Sequence, residues 1–157
     1  MYDFFPFYIN IQKKYFLIVG GGKIACRRLK TLLKFDVNVV LIAPDISPEI
    51  KLIQNESLKL YEQSFEEKFL DKINYLILAT DNKDLHKAVS KLARKKGIIV
   101  NDASCKENCD FYFPSIIDKD ELLISVTSLG NNHKLTHRIA NIIRKYINKF
   151  TTQTRSL

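Results

Sequence analysis

Several features are scarce in this sequence. It has no run of 18 or more apolar residues, the length at which a membrane-spanning helix becomes a candidate. The N-terminal stretch MYDFFPFYINIQKKYF carries Asp3 and further polar breaks, which do not suit the apolar core of a signal peptide. Only three cysteines occur, an odd count that is too low for a secreted disulfide scaffold. We therefore predict a cytoplasmic protein with reduced thiols.

The sequence also lacks an aromatic stacking platform, an internal repeat and a low-complexity segment. Lys and Arg number 25 against 17 Asp and Glu, which gives a net charge of +8, and the basic residues are spread along the chain. A positive surplus attracts polyanions in general, whereas recognition of nucleic acid also needs a basic patch and a binding module. We expect neither a nucleic-acid nor a membrane partner, which leaves an acidic metabolite as the class of ligand.

Two residue pairs have the spacing of part of a metal site. His133 and His137 are four positions apart, and Cys105 and Cys109 are also four apart. Neither pair has further ligands at the spacing of a zinc site. We therefore predict no metal site and interpret Cys105 and Cys109 as incidental loop thiols. For His86, we predict a position on a helix surface.

Short aliphatic runs alternate with amphipathic helical patterns over the first hundred residues. With 157 residues, of which 46% are hydrophobic, the chain can bury a real core. Alternating β and α elements favour an α/β fold of the Rossmann type, a doubly wound parallel sheet with right-handed connections. The predicted strands are Tyr15–Val19, Asn38–Ile42, Leu58–Tyr61, Asn74–Ala79 and Ile98–Val100.

The pattern changes after Asn101. NDASCKENCDF indicates a polar loop, and FPSIID followed by ELLISVTS indicates a β-hairpin. One hairpin and one helix are too small for an independent core, so we expect this appendage to pack against a second copy in a homodimer. We predict a nucleotide-binding domain over 1–112 and the appendage over 113–157. The apolar stripe of its helix comprises Leu135, Ile139, Ile142, Ile143, Tyr146 and Ile147.

The stretch GGGKIA follows the first predicted strand and opens the first predicted helix. It matches the G-x-G-x-x-A pattern, in which Gly20 permits a tight turn, Gly22 leaves room for a pyrophosphate and Ala25 lets helix and strand approach. The helix N-terminus at Lys23 and Ile24 then directs free N–H groups at the phosphates. The pattern predicts dinucleotide binding, and a glycine turn that serves packing alone is the alternative.

Two further strand ends are candidates for cofactor contacts. The second strand is followed by Pro44 and Asp45 and lacks the acid that many NAD sites place at its tip, so this position leaves NAD and NADP open. No Arg occupies the tip, which argues mildly against a 2′-phosphate. Thr80 and Asp81 follow the fourth strand, where ligands of such folds gather. Capping of the next helix is an equally good explanation for that pair.

Four stretches carry a family resemblance over about residues 3–150: LIVGGGKIACRR, LATD, NCDFYFPSIID and LLISVTSLGNNHKL. The chain resembles the precorrin-2 dehydrogenases of siroheme biosynthesis, including the N-terminal module of multifunctional siroheme synthase. The resemblance implies NAD-dependent oxidation of precorrin-2 to sirohydrochlorin, in which a hydride passes to the nicotinamide and a proton is lost. It also implies that the loop 101–112 and the appendage form a tetrapyrrole-binding cleft.

The chain departs from this family at the expected catalytic position. The family's Asp in its N-V-V-D stretch, commonly assigned a catalytic role, falls on Ser104. The proton acceptor is then Asp102, a water held by Ser104, or the substrate's own carboxylates. In the family's S-x-G segment, the resemblance assigns Ser128 and Gly130 to substrate binding.

Two other functions are compatible with parts of the sequence. Some relatives also insert iron into sirohydrochlorin, but their appendage is longer, so chelatase activity is not expected here. A non-catalytic NAD(H)-sensing regulatory module would share the glycine turn and the basic surface. It would usually keep an acid at the end of the second strand, which this chain lacks.

Overall fold

The computed structural model describes residues 3–153, with side chains described for residues 3–147. The chain divides into two compact units. One unit comprises Pro6–Phe111, and the other comprises Tyr112–Leu157 together with Met1–Phe5. The predicted domains, 1–112 and 113–157, extend at both termini outside the described residues, and their boundary stays a prediction.

The larger unit contains a five-stranded parallel sheet. Its strand order is β3-β2-β1-β4-β5, so the direction in which strands are added reverses between β1 and β4. This order confirms the predicted doubly wound fold. It also places the carboxyl ends of β1 and β4 side by side, with Val19 paired to Leu78. Ligands of such sheets bind at this edge. The strands are β1 (Tyr15–Val19), β2 (Asn38–Ala43), β3 (Leu58–Glu62), β4 (Tyr75–Leu78) and β5 (Ile99–Asp102).

Helices and a short 3-10 turn connect these strands. They are α1 (Lys23–Leu32), α2 (Pro48–Lys51), the turn Glu67–Leu70 and α3 (Lys83–Lys95). Right-handed connections place α1 and α3 on opposite faces of the sheet. Every residue of β4 is buried, as expected for a strand that is covered on both faces and is aliphatic throughout.

The buried face of α3 is not the face that its apolar residues mark in the sequence. At helical spacing, the apolar side chains of this segment share one face, yet Ala88 among them is exposed. The five are Leu85, Ala88, Val89, Leu92 and Ala93. The buried residues are His86, Val89, Ser90 and Ala93, which follow the i, i+3, i+4, i+7 spacing of one helix face. The predicted surface position of His86 is therefore wrong. Two polar residues can lie on the inner face because both have hydrogen-bond partners there.

Strand β5 extends beyond its predicted end. The polar character of Asn101 and Asp102 predicted a loop from residue 101, yet both residues belong to β5 and are only 2% and 4% exposed. The Asn101 amide donates to the Phe111 carbonyl at 2.7 Å. The carboxylate of Asp102 and the side-chain nitrogen of Asn101 can be buried because their hydrogen bonds are made within the protein, whereas the buried Oδ1 of Asn101 has no hydrogen-bond partner among the described residues. A 3-10 turn, Lys106–Asn108, follows within the predicted loop.

The smaller unit contains the predicted hairpin and helix. Strands β6 (Ser115–Lys119) and β7 (Leu122–Val126) pair antiparallel, and helix α4 spans His133–Gln153. The guanidinium of Arg144 on α4 donates to the Ile116 carbonyl of β6 at 3.0 Å. The helix therefore packs beside the hairpin. Among the described residues, no helix is both long and apolar enough to cross a membrane.

The apolar stripe of α4 divides into two faces. Ala140 is fully buried and Ile147 is 9% exposed. Leu135, Ile139 and Ile142 are exposed by 49%, 39% and 44%. The sequence pattern predicted a single apolar stripe, whereas the structure shows an inner face and a separate exposed face.

Candidate functional site

The glycine turn between β1 and α1 is built around Gly20. Its φ of +127° lies in a region that L side chains rarely adopt, and an added Cβ would lie 2.3 Å from the carbonyl oxygen of Ala79. The turn therefore passes directly against the chain leaving β4. This position requires glycine for the fold, whether or not a ligand is bound.

Gly21 has an equally strict packing role that the sequence pattern did not indicate. An added Cβ would lie 2.2 Å from the backbone oxygen of Asp45, in the segment after β2. The carbonyl of Gly21 also accepts a hydrogen bond from the Ser47 amide at 3.0 Å. Gly21 thus fixes the glycine turn to the loop that follows β2. The motif accepts any residue between its first two glycines. The need for glycine at position 21 is therefore visible only in the packing of the folded chain.

Gly22 differs from its two neighbours because the space beside it is open. No atom lies within 4 Å of the position that its Cβ would take. Gly22 is the N-cap of α1, it provides no side-chain acceptor, and the first turn contains no acidic residue. The first N–H groups of a helix have no intrahelical acceptor, and the helix N-terminus favours an anion. The open space and the free donors fit the pyrophosphate of a dinucleotide.

The remaining residues of the motif take two roles. Ala25 is fully buried, in agreement with close packing of the helix on the sheet. Lys23 and Ile24 are exposed at the start of α1. At the tip of β2, Pro44 and Asp45 are also exposed. These exposed residues lie next to the glycine turn, since the backbone of Asp45 approaches Gly21.

Thr80 follows β4 and contacts the glycine turn. Its Cγ2 would lie 3.2 Å from a Cβ on Gly20. Capping does not account for this residue, because the N-cap of α3 is Asn82, whose side chain accepts from the Leu85 amide at 2.9 Å. Asp81 is exposed between them. The hydroxyl of Thr80 is instead hydrogen-bonded to a buried histidine.

That histidine is His86, which is 2% exposed. Its Nε2 lies 2.9 Å from Thr80 Oγ1 and 3.2 Å from the Thr80 amide. Its Nδ1 lies 2.8 Å from Asp102 Oδ1 and 3.0 Å from Ser104 Oγ. The imidazole therefore joins the residues that follow β4 to those at the end of β5. The sequence pattern missed it, although its spacing from Val89 and Ala93 was an available signal.

Asp102 is a buried carboxylate whose two oxygens are both engaged. Oδ1 accepts from the amide of Ser104 at 2.9 Å and from its hydroxyl at 2.8 Å, besides the contact with His86. Oδ2 accepts from the Asn108 amide at 2.8 Å. Burial raises the pKa of Asp102, but hydrogen bonds from Asn108, Ser104 and His86 outweigh it, and the net pKa is lowered. Asp102 is therefore ionised at neutral pH and has a weak tendency to accept a proton.

Ser104, by contrast, is exposed at the end of this network. The two residues assigned to proton transfer from the sequence are thus in direct contact but differ in access. Only Ser104 can meet a ligand from solvent, and Asp102 lies behind it.

Arg94 of α3 braces the loop after β5. Its guanidinium donates to Asn108 Oδ1 at 2.6 Å, to the Asn108 carbonyl at 2.9 Å and to Asp110 at 3.1 Å. Since Asn108 also donates to Asp102, this brace fixes the orientation of the buried carboxylate. Asn108 Oδ1 accepts from Arg94, and the side-chain nitrogen of Asn108 donates to Asp102. These two contacts together define which atom of the Asn108 amide is oxygen and which is nitrogen.

The cysteines of this loop have structural contacts. Cys109 Sγ donates to the Asp102 carbonyl at 3.1 Å and accepts from the Asp102 amide at 3.3 Å. Burial raises the pKa of the Cys109 thiol, so it is held as a thiol. Cys105 Sγ donates to Glu107 at 3.4 Å. Within the described residues, no group of three or more His, Cys, Asp or Glu side chains could hold a metal ion.

The predicted substrate contacts Ser128 and Gly130 lie in the smaller unit. Ser128 Oγ accepts from the Asn132 amide and from the Thr136 hydroxyl, both at 2.9 Å. Gly130 has a φ of +77°. Both residues thus shape the turn into α4, a role that the sequence did not distinguish from substrate binding.

Comparison with known proteins identifies the family. A family model described as NAD(P)-binding matches residues 7–115. The chain belongs to this NAD(P)-binding family. The match includes β1, the glycine turn and the strand ends that surround Thr80, so a nicotinamide dinucleotide is the cofactor class that the open space at Gly22 fits.

Individual relatives are siroheme enzymes. The chain is 37% identical over 147 residues to a multifunctional siroheme biosynthesis protein of Ruminiclostridium josui, covering 92% of this chain and 28% of that protein. It is 36% identical to the siroheme synthase of Acinetobacter baylyi, covering 92% of this chain and 32% of that protein. The chain thus spans about a third or less of the length of these relatives.

A solved structure matches nearly the whole chain. SirC, a precorrin-2 dehydrogenase, superposes with a TM-score of 0.75 at 25% sequence identity, covering 97% of this chain and 76% of that one. The likeness extends over the parallel sheet, the hairpin and the final helix. The resemblance to siroheme enzymes expected from the sequence motifs is confirmed.

Proposed function

We propose that this chain is an NAD-dependent precorrin-2 dehydrogenase that forms sirohydrochlorin. The observation that carries the proposal is the likeness to SirC over 97% of this chain, which includes the hairpin and helix as well as the nucleotide-binding sheet. A nucleotide-binding domain of another function has no reason to share that appendage. The siroheme synthases that the chain resembles act in the same biosynthesis by name.

The residues of the larger unit fit the cofactor half of this reaction. The bound nicotinamide would accept the hydride that the tetrapyrrole loses. The N–H groups at the start of α1 would bind the pyrophosphate in the open space beside Gly22. Thr80 and Asp81 follow β4 at the edge where the reacting end of such a cofactor lies. Ser104 is exposed at the same edge, after β5, where it can hold a water or a polar group of the substrate.

NAD is the proposed dinucleotide. Asp45 is exposed two residues beyond the end of β2, with its backbone against Gly21, and from there its carboxylate can accept a hydrogen bond from a ribose hydroxyl although the strand tip itself carries no acid. A carboxylate at this position would repel a 2′-phosphate, and neither Pro44 nor Ala43 offers a compensating positive charge. The preference is tested by comparing the binding of NAD and NADP to the wild-type chain and to Asp45→Asn.

A homodimer is proposed on the exposed face of α4. Leu135, Ile139 and Ile142 lie on successive turns of the helix and remain substantially exposed. Monomeric proteins rarely expose a continuous apolar stripe of this kind. A second copy is the proposed occupant, because a two-fold axis would bury the same stripe from both chains.

The deciding experiment is anaerobic incubation of the chain with precorrin-2 and either NAD or NADP. We expect reduced nicotinamide and the absorption spectrum of sirohydrochlorin to appear together, and faster with NAD. Gly22→Asp should remain folded and show neither signal. Absence of both signals with the wild-type chain and either cofactor, under conditions in which a known precorrin-2 dehydrogenase is active, would refute the proposal.

A further inference from the structure

The protonation state of His86 follows from its contacts. A backbone amide can only donate, so the contact between the Thr80 amide and His86 Nε2 at 3.2 Å makes Nε2 the unprotonated nitrogen, which accepts through its single lone pair. Nδ1 lies 2.8 Å from the ionised carboxylate of Asp102, which can only accept. The imidazole is therefore neutral, with its proton on Nδ1.

The hydroxyl of Thr80 is oriented by a second contact. Thr80 Oγ1 accepts a hydrogen bond from the Asn82 amide at 3.1 Å. Its own proton can then point at His86 Nε2, which lies 2.9 Å away and shares its lone pair between this hydroxyl and the Thr80 amide. Thr80 Oγ1, His86 and Asp102 thus form a hydroxyl, a base and an orienting carboxylate in series. This is the arrangement that activates a hydroxyl in enzymes that use it as a nucleophile or proton carrier.

Thr80, His86 and Asp102 lead from the ligand-binding edge of the sheet into the core. Thr80 is half-buried and contacts the glycine turn, whereas His86 and Asp102 are 2% and 4% exposed. A buried imidazole and a buried carboxylate are costly compared with apolar residues. A helix position that served packing alone would be filled better by an aliphatic side chain.

Two routes could carry a proton away from a substrate at this edge. One leads through Ser104 to Asp102, but a carboxylate whose pKa is lowered by Asn108, Ser104 and His86 despite its burial is a poor acceptor. The other leads through the Thr80 hydroxyl to the unprotonated Nε2 of His86. An unprotonated imidazole nitrogen can accept a proton, and the ionised carboxylate of Asp102 at 2.8 Å from Nδ1 would stabilise the resulting cation.

We propose that Thr80, His86 and Asp102 form the proton relay of the dehydrogenation, with Thr80 as the residue that meets the substrate and His86 as the buried acceptor. The inference rests on the proposed function. It assigns the base to a residue that the sequence comparison with the family did not indicate, at a site where Ser104 replaces the family's carboxylate.

The step balances in protons and electrons. The substrate gives a hydride, with two electrons, to the nicotinamide and a proton to Thr80 Oγ1. The original hydroxyl proton of Thr80 moves to His86 Nε2, which gives an imidazolium opposite ionised Asp102. The relay resets when the proton returns through Thr80 to water. Asp102 keeps its charge throughout, so it is a positioning residue, as is His86 with respect to the substrate.

The charged and titratable groups around His86 are few in the described contacts. Asp102 of β5 contacts it directly. Cys109 binds the backbone of Asp102, and Arg94 of α3 reaches Asp102 through Asn108. Among these contacts, the carboxylate of Asp102 is therefore the charged group that directly faces the imidazole.

Thr80 gives the sharpest test because one variant removes the hydroxyl and a second variant keeps it. Thr80→Val keeps the shape and removes the hydroxyl, whereas Thr80→Ser retains it. Turnover of precorrin-2 should fall by about 100-fold or more in Thr80→Val, which is the lower range of general base catalysis. Thr80→Ser should restore it to within about threefold, with the KM for NAD little changed in both. A Thr80→Val enzyme within about threefold of wild type would overturn the relay.

His86→Asn tests the acceptor by separating turnover from cofactor binding. The kcat for precorrin-2 should fall by about 100-fold or more, as in Thr80→Val, while the KM for NAD changes little. His137→Asn, at an exposed histidine of α4, should keep the wild-type kcat. A folded His86→Asn enzyme with a kcat within about threefold of wild type would contradict the proposal.

The tautomer provides a readout that needs no substrate. Nitrogen NMR of the labelled wild-type chain should show His86 with a protonated Nδ1 and an unprotonated Nε2 at neutral pH, assigned by its loss in His86→Asn. A proton on Nε2 would overturn the relay whatever the activity. A different outcome is also informative: the chain shows the expected tautomer but fails to oxidise precorrin-2. That outcome would refute the proposed function and, with it, the role of the relay in that reaction.

Discussion

The imidazole of His86 and the carboxylate of Asp102 meet at 2.8 Å in the interior, although they lie 16 positions apart in the chain. His86 faces inward from the first turns of α3, and Asp102 ends β5, the strand that α3 leads into. A helix that packs on the strand it precedes brings these two positions together. The contact thus joins helix α3, which connects β4 to β5, to the carboxyl end of β5.

Acid should weaken the fold through Asp102. Its pKa is lowered in the folded chain, because the hydrogen bonds it accepts outweigh its burial, so its contribution to stability is present above the unfolded pKa of about 4. That contribution is lost as pH falls through the lower folded pKa. Asp102→Asn should cost about 2 kcal/mol at pH 7 and flatten the dependence of the unfolding free energy on pH below about 4. Urea unfolding at a series of pH values measures both effects.

Asp36→Asn is the matched control for that measurement. The pKa of Asp36 is also lowered, by hydrogen bonds from Lys13 and Gln12, but this carboxylate lies at the surface. Exposed ion pairs contribute little because water and salt screen them. An equal change in the free energy of unfolding in both variants would show that the buried network stabilises the fold no more than the exposed pair does.

The glycine turn should separate folding from binding at two neighbouring positions. Gly20→Ala places a Cβ 2.3 Å from the Ala79 carbonyl in a backbone conformation with φ of +127°, so the variant should lose at least about 2 kcal/mol of stability. Gly22→Asp meets no neighbouring atom and supplies a favourable N-cap to α1, so its melting temperature should be equal or higher. Its carboxylate should nevertheless repel the pyrophosphate and abolish NAD binding.

Calorimetric melting and titration of NAD into both variants check this contrast. Unchanged NAD affinity in folded Gly22→Asp would contradict the placement of the pyrophosphate at α1. A fully stable Gly20→Ala would contradict the close approach of the turn to the chain after β4.

The sheet was predictable because its signals are local. The aliphatic runs of β1 and β4 are bounded by turn residues, and the alternation of strand and helix patterns indicates a parallel sheet with right-handed connections. The order of the strands is visible only in the folded chain. The G-x-G-x-x-A spacing located the turn and the helix that follows it. Local pattern could not show that Gly21 packs against Asp45, because that contact depends on how the loop after β2 returns to the turn.

The polar network was not predictable for the same reason. His86 and Ser90 have the sequence character of a solvated helix face, and Asn101 and Asp102 have that of a loop. Each becomes a buried residue only because its partners come from other elements, as Asn108 and Cys109 do for Asp102. Apolar periodicity assigns buried faces by hydrophobicity alone, so it places such residues outside.

The brace of Arg94 should control the stability of the loop after β5. Arg94→Ala removes three hydrogen bonds, two to Asn108 and one to Asp110, and leaves the Asn108 amide free to turn away from Asp102. We expect a loss of about 1–3 kcal/mol and faster amide exchange in residues 103–110. Lys91→Ala, one turn earlier on the exposed side of α3, is the control and should change neither quantity. Equal exchange in the two variants would show that the loop is held by other contacts.

The exposed face of α4 should determine the oligomeric state. Ile139 and Ile142 are exposed by 39% and 44% and lie away from Ala140, which is fully buried. Ile139→Glu combined with Ile142→Glu therefore adds two charges to the proposed two-fold interface without disturbing the packing of the helix on its own hairpin. We expect a folded monomer by light scattering, with unchanged helix content by circular dichroism. Lys134→Glu together with Arg138→Glu changes the charge of the same helix at exposed polar positions and should leave the dimer intact. If both double variants are dimers, the apolar face of α4 is not the interface, and the second copy must contact another surface.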